Sequence, residues 1–554
     1  MKFEVSAIDG IYISLILLLS IGVCFHMNEC CYVGKWYAVL AIFLGLIIKD
    51  TQFSLKSCSP ILLVILWCQI ADIYSKCWSI DKFMWHVSLG VFMFQCKGVS
   101  IEYWSKLVGV VSGVIFLVGI FSYGHNSFFF LQIFDNPAGE AAALGVGWSC
   151  ALPCIHSSLY KKNNYGKLLF GVLLLMLLSF LLLRSRIGFA AVLLSTSTYI
   201  YLKEKDSLHF TSYFIAIVII CVPLFLVLYS FDTYSVKGRM LTYLTMAQMC
   251  VRHPLMGYGS KVLEANYMCA QAQMLKVLGD NSIYSRVAGD VVRPFNEYLM
   301  FILQYGTIGF FFAVVCIINI WRRCYRDLRA WFLSLLIAWG VLGLASYPSY
   351  YPYVSLLMSG SMGIIYHDKC CNSQLKSENW GKAFYRVLGV VCFCLSLNIA
   401  LKELQKDSWM LQDMENFQIE KVYKIPSVLE DDVDVVYSCA VIQNLRCHPD
   451  ISAELLSKLG GRLQNYDTEL LSGDDALSLG KPQVAKAHFS LAHDMVPVRF
   501  MPLYGLMKAY IQMKDIANAV SIAEEICGKR VKVPSEDVRF VKNEAKKIIE
   551  IYGK

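Results

Sequence analysis

Charge is what this sequence has least of. Only 17% of its 554 residues are Asp, Glu, Lys or Arg, and 56% are hydrophobic. An ordinary soluble chain is about 25% charged and about 45–50% apolar. The deficit excludes a single water-soluble globule, and it is uneven. Residues 1–403 hold nearly all the long apolar runs, whereas 404–554 have the composition of a soluble domain. A Cys-x-x-Cys pair is missing despite 21 cysteines, which argues against a zinc-ribbon or thioredoxin-like site. Cys221, Cys316, Cys392 and Cys394 lie inside apolar runs, where cysteine behaves as a small hydrophobe. A small-residue cleavage site is missing after the first apolar stretch, Ile8 to Phe25. His26-Met27-Asn28-Glu29 follows instead, so an uncleaved first helix is expected. The net charge of +8 comes from short loops between apolar runs and forms no patch for nucleic acid.

What is present is a series of apolar segments. A bilayer crossing needs about 20 mainly apolar residues, and about thirteen segments qualify. They are 8–25, 33–49, 59–76, 82–96, 105–123, 139–160, 167–184, 186–203, 209–230, 296–320, 328–346, 350–367 and 383–403. The expected fold class is therefore all-α, a polytopic helical membrane domain over 1–403 followed by a soluble helical domain over 404–554. Lys and Arg favour cytoplasmic loops. With the N-terminus inside, Lys161, Lys162 and Lys167, Lys203 and Lys205, and Arg322, Arg323, Arg326 and Arg329 all fall inside. The large loop 231–294 and the C-terminal domain then lie outside the cytoplasm, which in a bacterium means an inner-membrane protein with a periplasmic tail. Arg184 and Arg186 oppose the charge rule on the outer side, and arginine at membrane depth is costly.

In the tail, Gly480, Ala485, Phe489, Ala492 and Pro497 stand at the offsets of a tetratricopeptide repeat. Ala519 follows Ala485 by 34 residues, and Leu503, Leu506 and Tyr510 supply a first helix. Such a tail is expected to hold a protein partner or to pack, not to catalyse.

Four segments of the membrane part carry recognisable patterns. Phe134-Asp135-Asn136-Pro137-Ala138-Gly139 enters the sixth span. Leu183-Arg184-Ser185-Arg186-Ile187-Gly188 separates the seventh and eighth. Gly238-Arg239 precedes an amphipathic stretch that ends in His253-Pro254-Leu255-Met256-Gly257-Tyr258-Gly259. Phe295-Asn296-Glu297-Tyr298-Leu299 precedes Gly306-Thr307-Ile308-Gly309. In this order they resemble the O-antigen ligase and polymerase superfamily of bacterial envelope glycosyltransferases, over about residues 130–345. The resemblance implies a glycan donor on undecaprenyl pyrophosphate and transfer to a hydroxyl of a glycan, lipid or protein acceptor, without metal or other cofactor. The family has His where this chain has Phe295. Phenylalanine cannot move a proton, so Glu297 is the first substitute, followed by His253, Glu264 and Asp290.

The same residue types suit that chemistry. A departing pyrophosphate must be neutralised, and arginine binds phosphate oxygens with a planar, permanently charged fork. Arg184, Arg186, Arg239 and Arg293, with Asn136 and Asn296, are the residues expected to bind substrate or stabilise the leaving group. Glu297 or His253 would take the acceptor's proton. Structural readings of these residues stand beside the chemical ones. Arg184 and Arg186 can anchor at head groups, Asn296 can cap a helix, and Glu297 can favour a helix dipole. The two glycine pairs suit turns and close packing, and Tyr347, Tyr350, Tyr351 and Tyr353 suit an interfacial aromatic belt. Two other functions remain open: a transporter or flippase of lipid-linked glycans, or a membrane anchor displaying a helical adaptor. The first lacks internal repeats in matching halves, and the second does not require the outer arginines.

Overall fold

The computed structural model describes residues 7–21, 30–48, 55–124, 137–160, 180, 185–204, 233–279, 282–366, 379–415 and 425–553. Among them the chain is all helical, with no β-strand. The membrane part gives α1 (Ala7–Ile21), α2 (Cys30–Ile48), α3 (Leu55–Tyr74), α4 (Ile80–Gln95), α5 (Ile101–Gly124), α6 (Pro137–Tyr160) and α7 (Arg186–Glu204). The loop gives α8 (Thr233–Arg252), α9 (Met268–Leu278) and α10 (Ile283–Val287). Then follow α11 (Glu297–Arg323), α12 (Arg329–Ala345), α13 (Pro352–Ile365) and α14 (Asn379–Glu415). The tail comprises α15 (Val433–Leu445), α16 (Pro449–Leu459), α17 (Tyr466–Ser478), α18 (Pro482–Met495), α19 (Met501–Gln512), α20 (Ile516–Gly528) and α21 (Glu536–Tyr552). The expected spans at 167–184 and 209–230 lie outside the described residues.

Among the described residues, five segments are long and apolar enough to cross a membrane. They are Ile101–Val118, Ala138–Ser157, Glu297–Arg323, Arg326–Ala345 and Ala383–Met410. Shorter apolar stretches lie in α1, α2, α3 and α13. The expected spans at 82–96 and 186–203 also form helices, but Asp81 and Lys82 open α4 and a run of hydroxyl residues, Ser195 to Thr198, interrupts α7. Two of those hydroxyls bond to α6: Ser149 donates to Ser195 at 3.0 Å, and the Trp148 indole donates to Thr196 at 2.8 Å. Such bonds join helices where lipid offers no hydrophobic gain from association.

The chain divides into two compact units. The first takes in Met1–Phe231, Leu255–Gly259 and Phe295–Asp407. Its core is aromatic: Trp104, Trp331, Tyr351 and Tyr353 are each no more than 1% exposed. The buried indoles are satisfied, Trp331 by the Ser149 carbonyl and Trp104 by the Ser361 hydroxyl, both at 3.0 Å.

Within this unit α11 is broken. Gly306 has φ 68° and ψ −178°, which interrupts the helix and frees three successive carbonyls. A freed carbonyl at membrane depth needs another donor. Leu303 accepts from the Tyr258 N–H at 2.8 Å and Gln304 from the Gly259 N–H at 2.9 Å. Tyr305 accepts from the Trp67 indole at 2.8 Å. A Cβ on Gly306 would overlap the Leu255 carbonyl, so a residue free to adopt positive φ and without a side chain is required. The Gly306-x-x-Gly309 and Gly257-x-Gly259 pairs are thus backbone devices that seat the Pro254–Gly259 turn on the opened helix.

The second unit joins Asp232–Pro254 and Ser260–Pro294 to Ser408–Lys554. Residues 403 and 404 lie inside the continuous helix α14, and most of the 231–294 loop clusters with the tail instead of with the membrane helices. The loop's own apolar cluster is small, centred on Leu241, Leu275 and Ala288. The tail supplies the remaining surface, with α9 packing on α18.

The tail helices are well punctuated. Asn465 and Thr468 form a capping box at α17, and Pro482 opens α18. Phe489 fills the space that Gly473 and Gly505 leave, since a Cβ on either would come within 2.5 Å of its ring. Ala485 and Ala519 are both fully buried.

Candidate active site

The first turn of α11 is tied to the end of α12 and the turn that follows. Asn296 is extended and caps the helix, accepting from the Leu299 N–H at 3.0 Å. Its amide also donates to the Leu344 carbonyl at 3.3 Å. Tyr298 donates to the Gly340 carbonyl at 2.9 Å. Between them Glu297 accepts from the Ser349 N–H. Ser355 donates to the Ser349 carbonyl at 2.9 Å and holds that turn. A carboxylate fixed by a peptide N–H at a helix N-terminus is oriented before any substrate arrives.

Aromatic rings close one side. Phe295 has φ 53°, a left-handed conformation that costs about 1–3 kcal/mol for a residue with a side chain. Its ring meets Tyr347 edge-on at 5.4 Å, and Tyr347 stacks on Tyr351 at 5.8 Å. Gly139 lies directly under the Tyr351 ring, so the start of α6 and the Phe-Asn-Glu segment are linked through these tyrosines. The expected interfacial belt is corrected here. Tyr347, Tyr351 and Tyr353 are 5%, 0% and 1% exposed; α6 presents Gly139 against the Tyr351 ring, and Tyr347 stacks on Tyr351. One position beyond Gly139, Glu140 is only 7% exposed. Reading the sequence passed over it, although a carboxyl early in an apolar span is a signal in itself.

The remaining expected residues are distributed as follows. Arg186 opens α7 half-buried, and the Ser185 hydroxyl between the two arginines accepts from the Gly188 N–H at 3.2 Å. The serine of this motif is therefore a helix cap. Arg184 and Asn136 lie outside the described residues. Arg239, His253, Arg293, Glu264 and Asp290 belong to the second unit. Arg239 is half-buried on α8, and His253 is exposed just after that helix. Glu264 is exposed, and its carbonyl accepts from the Gln464 N–H of the tail at 2.8 Å. Burial, with Asp467 nearby, raises the Asp290 carboxyl above its ordinary range, and Arg499 opposes that rise. The structure thus brings Glu297, Asn296 and Phe295 together with the tyrosines.

Residues 171–314 match the family model described as O-antigen ligase. The matched segment contains every expected site residue except Asn136 and ends inside α11. The match supports the O-antigen ligase and polymerase superfamily, and with it a membrane-embedded enzyme of glycosyl transfer. No curated protein and no solved structure matches the chain.

Proposed function

We propose, from the premise that the chain carries an O-antigen ligase domain, that it moves a glycan from an undecaprenyl-pyrophosphate donor onto an acceptor hydroxyl. The observation that carries this reading is the Glu297 carboxylate. It stands two residues after the position where the family has His and accepts from the Ser349 N–H, while Phe295 at that position meets Tyr347. Glu297 takes the acceptor's proton, with His253 as the second candidate base. Arg239 stabilises the departing pyrophosphate, and Arg184, Arg186 and Arg293 bind it, a task that suits a planar, permanently charged fork. Asn296, which caps α11, and Asn136 bind the substrate. No metal or cofactor is assigned a step.

The location we assign is the bacterial inner membrane, with the loop and tail on the periplasmic side. Their membership of one compact unit supports a shared side, and the charge bias of the loops supports which side it is. We assign the tail to the tetratricopeptide type on the 34-residue spacing of the two buried alanines, Ala485 and Ala519. The donor, membrane lipids and a glycan, lipid or protein acceptor are the partners.

The test is transfer from purified lipid-linked donor by the full-length protein in membranes, coupled with deletion in the host. Loss of long polymer alone marks a polymerase, unattached polymer a ligase, and bare protein acceptors a protein transferase. An unchanged envelope, with no transfer in vitro, overturns the reading.

A further inference from the structure

Several contacts between the loop and the tail are polar. Lys276 on α9 pairs with Asp494 on α18 at 2.6 Å, at the exposed rim. The Gln464 N–H bonds to the Glu264 carbonyl at 2.8 Å. At the centre stands Gln271 of α9, which has no exposed surface. Its amide donates to two backbone carbonyls, Gly289 of the loop at 3.0 Å and Met495 of the tail at 2.9 Å. Its oxygen accepts from the Tyr267 hydroxyl at 3.2 Å. Every hydrogen-bonding direction of this amide apart from one acceptor lone pair is used. Both carbonyls lie at the ends of structure: Gly289 follows α10, and Met495 is the last residue of α18.

Apolar contact between two bodies tolerates sliding, because the hydrophobic effect is non-directional. A buried amide bridging two carbonyls does not, since a small displacement leaves buried polar groups unpaired. Gly289 also begins the segment that leads from the loop into α11. Asp290 and Arg293 follow it at once, and the chain then runs into Phe295, Asn296 and Glu297.

We infer that Gln271 is a positioning residue that pins the returning strand of the loop, Gly289 to Pro294, to the tail. The C-terminal domain is thereby a structural part of the transferase and not only a module for an outside partner. The inference rests on the proposed function for its consequence, because Arg293 travels on the pinned segment. It rests on geometry alone for the pin.

The experiment uses the full chain in membranes, with purified lipid-linked donor. Gln271→Leu keeps the volume of the side chain and removes its bonds. Gln273→Leu, on the exposed side of the same helix, is the control. In Gln271→Leu, amide exchange over 288–293 should rise by about tenfold or more, the scale expected when buried carbonyls lose their donors. The donor KM should rise several-fold, more than kcat falls. A mere loss of folded protein lowers apparent kcat and leaves KM unchanged. Gln273→Leu should change neither. Lys276→Glu is the milder variant should Gln271→Leu fail to fold. It should raise the same exchange by about two- to fivefold, and adding Asp494→Lys should reverse it. Unchanged exchange in both variants overturns the pin. Raised exchange with donor KM unchanged overturns the positioning role. Wild-type protein that transfers nothing sinks the proposed function instead, and the exchange measurement still judges the pin.

Discussion

The Tyr258 N–H donates to the Leu303 carbonyl at 2.8 Å, which fastens the turn after the loop's first helix to the opened middle of α11. The opening depends on Gly306. In Gly306→Ala the new methyl overlaps the Leu255 carbonyl and the backbone is left at φ 68°. The expected loss is about 1–3 kcal/mol or more. Thermal unfolding in detergent should show a lower midpoint than wild type. An equal midpoint would mean that α11 closes its break at no cost.

Glu297→Gln should slow transfer by about 10²–10⁴-fold, the usual contribution of general acid–base help. Donor binding should change little, because the glutamine oxygen still accepts from the Ser349 N–H. Glu297→Asp should fall between. Wild-type turnover in Glu297→Gln would move the base to His253 or Asp290.

Arg239→Lys keeps the charge and loses the bidentate fork. If Arg239 faces a pyrophosphate, the lysine variant should lose about tenfold or more in transfer, and Arg239→Ala more still. Equal rates for wild type and lysine would reduce Arg239 to a solvated charge on α8.

Asp290 gives the loop a pH dependence. Burial raises its carboxyl above the ordinary range, so ionisation opposes the folded loop. The stability involved is fully present below about pH 4 and is lost as pH rises through the raised value. Amide protection over 286–294, taken relative to the intrinsic exchange rate at each pH, should therefore increase on acidification from pH 7 toward pH 4. Asp290→Asn should flatten that trend, although Asp467, Arg499 and Tyr437 remain beside it. A slope unchanged in Asp290→Asn would assign the effect to another group.

Topology is open to labelling. In a cysteine-free background, Val277→Cys in the loop and Gly480→Cys in the tail should react from the same side, before the inner membrane is breached. Opposite-side labelling would break the second unit apart.

The sequence by itself determined the helical class, the apolar spans and the family. These follow from local properties: runs of apolar residues, the placement of Lys and Arg, and short motifs at fixed offsets. It also limited the glycine pairs to turns and close packing, because only glycine offers positive φ without steric cost. What it could not determine was which surfaces meet. The packing of Tyr351 depends on Gly139, far away in the chain, and an exposed belt and a buried cluster have the same tyrosine spacing. The capping role of Ser185 depends on where α7 begins. The loop meets the tail in part through Gln271, which reaches two backbone carbonyls, Gly289 and Met495. Backbone carbonyls carry no residue identity, so nothing in the sequence marks them as partners. Tertiary packing alone made that choice, because the loop has too few apolar side chains to bury its polar groups without the tail.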